Sequence, residues 1–301
     1  MSFLNPVNEP VQRFSSKDAD APQINYAART AGDVKTVLKA CLVTGYGAKA
    51  GAGWSIVNEV GHVAEFVSPS AAMSDYRLGI DDSSAANTTW YYQYQDARTN
   101  PRNNATPKSM REIVQGHANS EWELLVTALG LYFLEHAQHS AVQAVSSRLT
   151  YIGATKSALL DTAGVNIAFY NIGHTSAINE PVGFYNNSYG AFFAVGAYRN
   201  MYPIDSTPLR QNQGDILYGV SAIILTSPVY LTSATNDLVV AQLSGLLTQI
   251  NNTSEQAYGK NEVLINARPA LQISLGYDTS SAKSARSRAR TVLIYLDYWE
   301  Y

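Results

Sequence analysis

Between Asp33 and Thr44 the apolar residues Val34, Val37, Leu38, Cys41 and Leu42 recur three and four positions apart, which places them on one face of a helix. Asp33 suits the N-cap or first turn and Gly45 the C-terminal end, so an amphipathic helix is predicted over Asp33–Thr44. Upstream the pattern is irregular. Pro6, Pro10 and Pro22 interrupt any helix, and Phe3, Leu4, Val7, Val11 and Phe14 are scattered, so residues 1–31 are read as an extended arm that lies on a neighbour. Downstream the period shortens to that of strands. HVAEFV, DYRLGI, TTWYYQY, EWELLV, GLYFLE, RLTYIG and NIAFYN are rich in β-branched and aromatic residues and are separated by Gly, Asn, Asp or Pro. The same pattern continues through GAFFAVGAY, DILYGVSAIIL, PVYLT, EVLINA, ALQISLGY and RTVLIYLDYWEY.

The predicted fold is mainly β (α+β): a sandwich or barrel-like body with one N-terminal amphipathic helix and an extended arm. Residues 32–175 form a helix plus β-rich domain and residues 176–301 a second β-rich domain or subdomain, with the boundary near His174–Pro181. Residues 97–108, with two prolines in DARTNPRNNATPK, read as a long surface loop. Leu238–Ile250 reads either as a second helix capped by Asn236 or Asp237 or, because of Gly245 and its β-branched positions, as a strand.

Composition narrows the function. The 301 residues are 46% hydrophobic and 15% charged, which suits a folded chain with a sizeable core and excludes a disordered one. A net charge of -3 without a basic block argues against nucleic acid as the main partner. No apolar stretch reaches the ~20 residues of a membrane-spanning helix, so membrane insertion is not expected. Cys41 is the only cysteine, which rules out an intrachain disulfide and gives no zinc pattern. The first residues lack the basic start and apolar core of a secretory signal, so folding in the compartment of synthesis is expected.

Candidate chemistry is sparse. Gly45, Gly47 and Ala50 match a GxGxxA spacing with Glu65 twenty residues after the first glycine, but a helical segment precedes the glycines where a dinucleotide site needs a strand. The preferred reading is a helix end followed by a tight crossing under Trp54. His136 and His139 in EHAQH lack HExxH spacing and are read as a solvated turn. Asp81 and Asp82 lack the alternation of a calcium loop and are read as a strand end that makes Asx turns. No GxSxG elbow or nucleophile and base pair is found. No catalytic residue, metal ligand or cofactor is therefore assigned.

Aromatic side chains supply the remaining signal. Twenty tyrosines stand against eight phenylalanines, and a tyrosine suits both cores and contact surfaces because its ring is apolar and its hydroxyl tolerates water. Strand alternation puts Trp90, Tyr92 and Tyr94 on one face. Arg286, Arg288 and Arg290 likewise share a face, suited to pairing with acids of an adjacent chain, and Tyr298 and Trp299 end the chain in a strand-like run. The expected contact residues are thus Phe3, Leu4, Val7, Phe14, Trp54, Trp90, Tyr92, Tyr94, Arg286, Arg288, Arg290, Tyr298 and Trp299.

The segments TVLKACLVTGYGAKAGAGW, AEFVSP, YRLGIDDSS, EWELLVTALGLYFLE and LTYIGATKSALLDTAGVNIAFYN resemble a pattern in virion structural proteins of tailed bacteriophages, with an LKxCLVxGYGxKxxAGW opening. The resemblance spans about Lys35–Asn171 and departs from the pattern at Thr44 and Ala154, where acids are usual. It implies a non-enzymatic particle component of the tail, baseplate or neck. Its partners would be copies of itself and other virion proteins, and it would be assembled in the bacterial cytoplasm. The rival expectations are a glycan-binding module using TTWYYQY with the Asp81 and Asp82 loop, and an enzyme acting on polysaccharide.

Overall fold

The computed structural model describes residues 6–74, 76–94, 108–112, 120–136, 147–157, 167–172, 182–186, 191–195, 226–232, 239–249, 260–275 and 290–301. Residues 97–107 of the loop expected at 97–108, the boundary near His174–Pro181 and the strand DILYGVSAIIL lie outside these residues, while Lys108 begins a strand. The described chain is mainly β.

The chain opens with two short strands, β1 (Asn8–Pro10) and β2 (Gln12–Ser15), before helix α1 (Asp33–Lys39), which runs on as a π-helical turn over Ala40–Thr44. Val34, Val37, Leu38, Cys41 and Leu42 are all buried, so the apolar stripe faces the core.

A 5-stranded antiparallel meander follows, ordered β3 (Ser55–Val60), β4 (Val63–Val67), β5 (Tyr76–Asp81), β6 (Asn87–Tyr94) and β7 (Lys108–Glu112). β4 alternates between half-buried and buried residues, as expected of a sheet with one face on a core.

The larger sheet starts with β8 (Glu121–Val126), β9 (Gly130–His136), β10 (Ser147–Ser157), β11 (Ile167–Ile172), β12 (Val182–Asn186) and β13 (Ala191–Val195), each antiparallel to the next. β14 (Thr226–Thr232) and β15 (Val239–Gln249) form a bulged pair. β16 (Lys260–Ile265), β17 (Arg268–Leu275) and β18 (Arg290–Tyr295) form a regular antiparallel group, and β19 (Tyr298–Glu300) ends the chain. Within the segment Leu238–Ile250, the described residues Val239–Gln249 are therefore a strand and not a helix. The physical reason is lateral pairing: Leu246–Thr248 bonds to β18 while Ala241–Leu243 bonds to β10.

The long strand β10 joins the two groups. Its first part pairs with β9 and β11 and its last three residues, Thr155–Ser157, pair with β15. Strands from both sides of the expected domain boundary thus share one sheet. Pairing runs continuously through β2, β8, β9, β10, β15, β18, β17 and β16. The two ends of that path nevertheless meet, because Arg13 on β2 is ion-paired with Glu262 on β16. The sheet is curled.

β8 and β9 are buried on both faces, which explains why EWELLV and GLYFLE lack a polar side. Phe133 meets Trp90 of the meander at 5.7 Å between ring centroids. On the other face Tyr132 stacks on Tyr151 at 4.5 Å and takes the edge of Trp299 at 4.9 Å. Trp299 fits because Gly245 has no side chain: its φ of +71° favours glycine, and any Cβ there would enter the indole ring. The Tyr301 hydroxyl reaches Thr127 Oγ1 at 2.8 Å, so the last residues fill the inside of the curl.

The first residues fold back on this body. β1 pairs antiparallel with β19, flanked by reciprocal bonds between Val7 and Tyr301, and β2 pairs with β8. Residues 7–15 were expected to reach toward a neighbour; here they occupy sheet edges of their own chain.

Candidate functional site

Two clusters of charge converge on β2, and a third lies at the start of α1. The first cluster crosses the open side of the curled sheet. Register places Glu121 opposite His136 and Leu125 opposite Tyr132, so Glu121, Glu123 and His136 share the inner face with Tyr132. Arg13 grips Glu123 with Nε at 2.9 Å and Nη2 at 3.2 Å, and its other nitrogen donates to Glu262. Lys260 Nζ donates to Glu121 at 3.1 Å and also to Glu123, while Lys17 reaches Glu121 at 2.8 Å.

Arg13, Lys17 and Lys260 thus match the formal charges of Glu121, Glu123 and Glu262. Glu123 is only 1% exposed, so its charge is tolerable only because two cations hold it. For Glu121 burial raises the carboxyl, but hydrogen bonds from Lys17 and Lys260 outweigh it and leave it below its ordinary range. Burial, aided by Lys260, lowers the His136 imidazole, which leaves it neutral at pH 7. Held below its ordinary range, the Glu121 carboxylate is a weak base. The arrangement ties strands together.

The second cluster anchors the turn after β2. Ser15 N–H donates to Asp18 Oδ2 at 2.9 Å and Asp18 N–H returns to the Ser15 carbonyl at 3.0 Å. The same carboxylate accepts from Tyr46 Oη at 2.6 Å and Lys49 Nζ at 2.7 Å. Lys49 lies 5.3 Å from the Phe14 ring centroid, and Tyr46 meets that ring edge-on at 6.0 Å. Burial raises the Asp18 carboxyl, yet the bonds from Lys49 and Tyr46 outweigh this and hold it below its ordinary value. The Tyr46 hydroxyl is pushed up by burial and by Asp18.

The glycine-rich stretch is therefore a clasp for the first residues. Tyr46 and Lys49 close a turn by two backbone bonds of 2.9 Å each. Gly47 between them has φ +52°, and a Cβ there would stand 2.8 Å from the Asp20 carboxylate. Glu65, the acid noted downstream, instead accepts from Tyr91 at 3.2 Å and Arg77 at 3.4 Å across the meander.

The third cluster is buried at the start of α1. Asp82, fully buried, is ion-paired with Arg29 and accepts the Lys35 N–H at 3.0 Å. A carboxylate suits the first turn because the helix dipole is positive there. Burial raises the Asp82 carboxyl more than Lys35 and Arg29 lower it. Asp81 makes the expected Asx turn, accepting from Ser83 N–H at 3.1 Å. Asp82 departs from that reading because its neighbours bury it.

The expected contact residues divide sharply. Phe14, Trp54, Trp90 and Trp299 are at most 4% exposed and pack in the chain's own core, not on its free surface. Trp54 Nε1 donates to the Thr127 carbonyl at 3.3 Å and Trp90 Nε1 to Thr88 at 2.8 Å, so even their polar edges are engaged internally. Tyr298 is half-buried, with the Arg268 guanidinium 3.7 Å from its ring centroid. Val7 is 46% exposed. Phe3, Leu4, Arg286 and Arg288 lie outside the described residues, as do the side chains of Tyr92, Tyr94 and Arg290. His136 is 3% exposed at a strand end, where Glu121 faces it, and not in a solvated turn; His139 lies outside the described residues.

Sequence reasoning missed Arg13, Glu121, Glu123, Lys260 and Glu262. One signal was present: in EWELLV and KNEVLI the charges stand two apart, which marks one strand face as ionic. Among the described residues no group of three or more His, Cys, Asp or Glu side chains is placed to hold a metal ion. No helix there is long and apolar enough to cross a membrane. Compared with protein-family models and with curated protein sequences, the chain matches none.

Proposed function

We propose that this chain is a virion structural protein of a tailed bacteriophage, a component of the tail, baseplate or neck that works by contact and not by turnover. In this reading the body is barrel-like, the partners are copies of itself and other virion proteins, and assembly takes place in the host cytoplasm. The supporting observation is the position of its exposed apolar residues. Among the described residues β3 and β16 each end a path of paired strands, and they carry Val57, Val60 and Leu264 at 46%, 70% and 71% exposure. Single exposed apolar residues are ordinary, but large ones on open strand edges favour continuation into a neighbouring chain. The resemblance over Lys35–Asn171 points the same way.

The glycan-binding alternative draws no support from the site it needs, because Trp90 and Asp82 are buried and internally bonded. The test is mass spectrometry of purified particles after chemical cross-linking. The chain is expected in several copies per particle, with cross-links from β3 or β16 to neighbouring chains. Its absence from purified particles would refute the proposal.

A further inference from the structure

We infer that residues 7–15 are an exchangeable strand, and that the slot they fill on β8 and β19 accepts the same segment of a second copy of this chain. The inference rests on the assembly reading above and gives it a specific contact.

The slot is independent of the strand that fills it. It is built from Glu121–Val126 and Tyr298–Glu300, remote in sequence from residues 7–15, so the body keeps it when the strand leaves. The strand is held by short ladders, three registered pairs on β19 and four on β8, and by the ring of Phe14, which is buried in the core and is exchanged together with the strand. Toward β16, the strand's described contact is the side-chain ion pair of Arg13 with Glu262 and not a backbone ladder. Ion pairs form equally well with a residue of another copy, because they need charge and reach but no chain connection.

The connection is suited to reopening. Two tight turns follow one another: Asp18 N–H bonds to the Ser15 carbonyl at 3.0 Å and Ala21 N–H to the Asp18 carbonyl at 3.2 Å. Asp20, which is not glycine, holds a positive φ of 61° there. Beyond Ala21 the chain is fixed again, with Ile24 and Tyr26 buried and the Pro22 carbonyl accepting from Trp122 Nε1 at 3.0 Å. Opening the turns therefore moves residues 7–15 as a unit while the rest stays in place. Short hinge loops under strain favour domain exchange. Every copy carries both strand and slot, so exchange repeats the same contacts and needs no new ones.

Two variants, each with one added cysteine, test this. Asn8 and Glu300 face each other between the reciprocal Val7 and Tyr301 bonds and the next bonded pair, a close position suited to a disulfide. The native Cys41 is buried and does not compete. Asn8→Cys protein is mixed with Glu300→Cys protein, incubated at neutral pH and oxidised, and the oligomeric state is followed by sedimentation. Exchange predicts a covalent heterodimer, with a severalfold higher yield when Lys49→Ala frees the turn. The double variant Asn8→Cys/Glu300→Cys checks the pairing within one chain. An intrachain bond in the double variant with no heterodimer from the mixture overturns the inference. A double variant that forms no bond at all contradicts the seating of the strand itself and overturns it equally. Particles that contain the chain while the mixture yields no heterodimer refute strand exchange alone. Particles that lack the chain refute the virion reading, whatever the cross-link shows.

Discussion

The aromatic cluster around Trp299 and the ionic cluster around Glu123 hold one curled sheet by opposite means. Around Trp299, Tyr132, Tyr151 and Tyr301 fill the interior with rings, and their hydroxyls find partners such as Ser244 O at 2.6 Å from Tyr132. Around Glu123, charge matching replaces packing, and the outermost members Lys17 and Glu262 have side chains more than half exposed. The first region depends on apolar area, which neither salt nor acid changes much. The second depends on protonation state. The lesson is that the ionic grip on the first strands and the aromatic packing of the body respond to different conditions, although Phe14 anchors those strands in the same core.

Removing the aromatic anchor breaks this comparison at its strong end. Trp299→Ala deletes a fully buried ring with no room to collapse around Gly245, and a loss of about 3–5 kcal/mol is expected in denaturant unfolding. That loss should be the same in low and high salt. At the ionic end, Glu123→Ala leaves Arg13 and Lys260 without their shared acceptor, and Lys260 is largely buried. A smaller loss of roughly 2 kcal/mol is expected, because Arg13 keeps solvent access. Glu123→Gln should recover part of it by keeping an acceptor oxygen. If both variants lose equal stability with equal salt dependence, the two regions are not distinct.

The body was legible because its signals are local. The runs EWELLV and GLYFLE coincide with β8 and β9, and the apolar spacing after Asp33 gives the buried face of α1. The ionic cluster was not, because its partners are distant: Arg13 and Glu262 are 249 positions apart, and Lys260 and Glu123 137 apart. Only the curl brings them together. Four of the expected contact aromatics, Phe14, Trp54, Trp90 and Trp299, are covered by their own chain for a related reason. A large ring on a strand signals burial, and whether the cover is the same chain or another is decided by topology. The glycine-rich loop was read correctly as a tight crossing, but its role as a clasp depended on Asp18, which carries no pattern of its own.

This difference in response is tested most directly by amide hydrogen-exchange protection of residues 12–15 and of β18 residues 292–294, compared at about pH 7 and about pH 3. Asp18 and Glu121 have depressed values in the folded chain, so their stabilisation is complete above the unfolded carboxyl range of about 4. It is lost as pH falls through the folded values. Asp82, raised by burial, has the opposite sign and belongs to α1, away from this strand. The account predicts that acid removes protection from residues 12–15 while residues 292–294 keep theirs. Equal loss in both segments, or unchanged protection of residues 12–15, would contradict it.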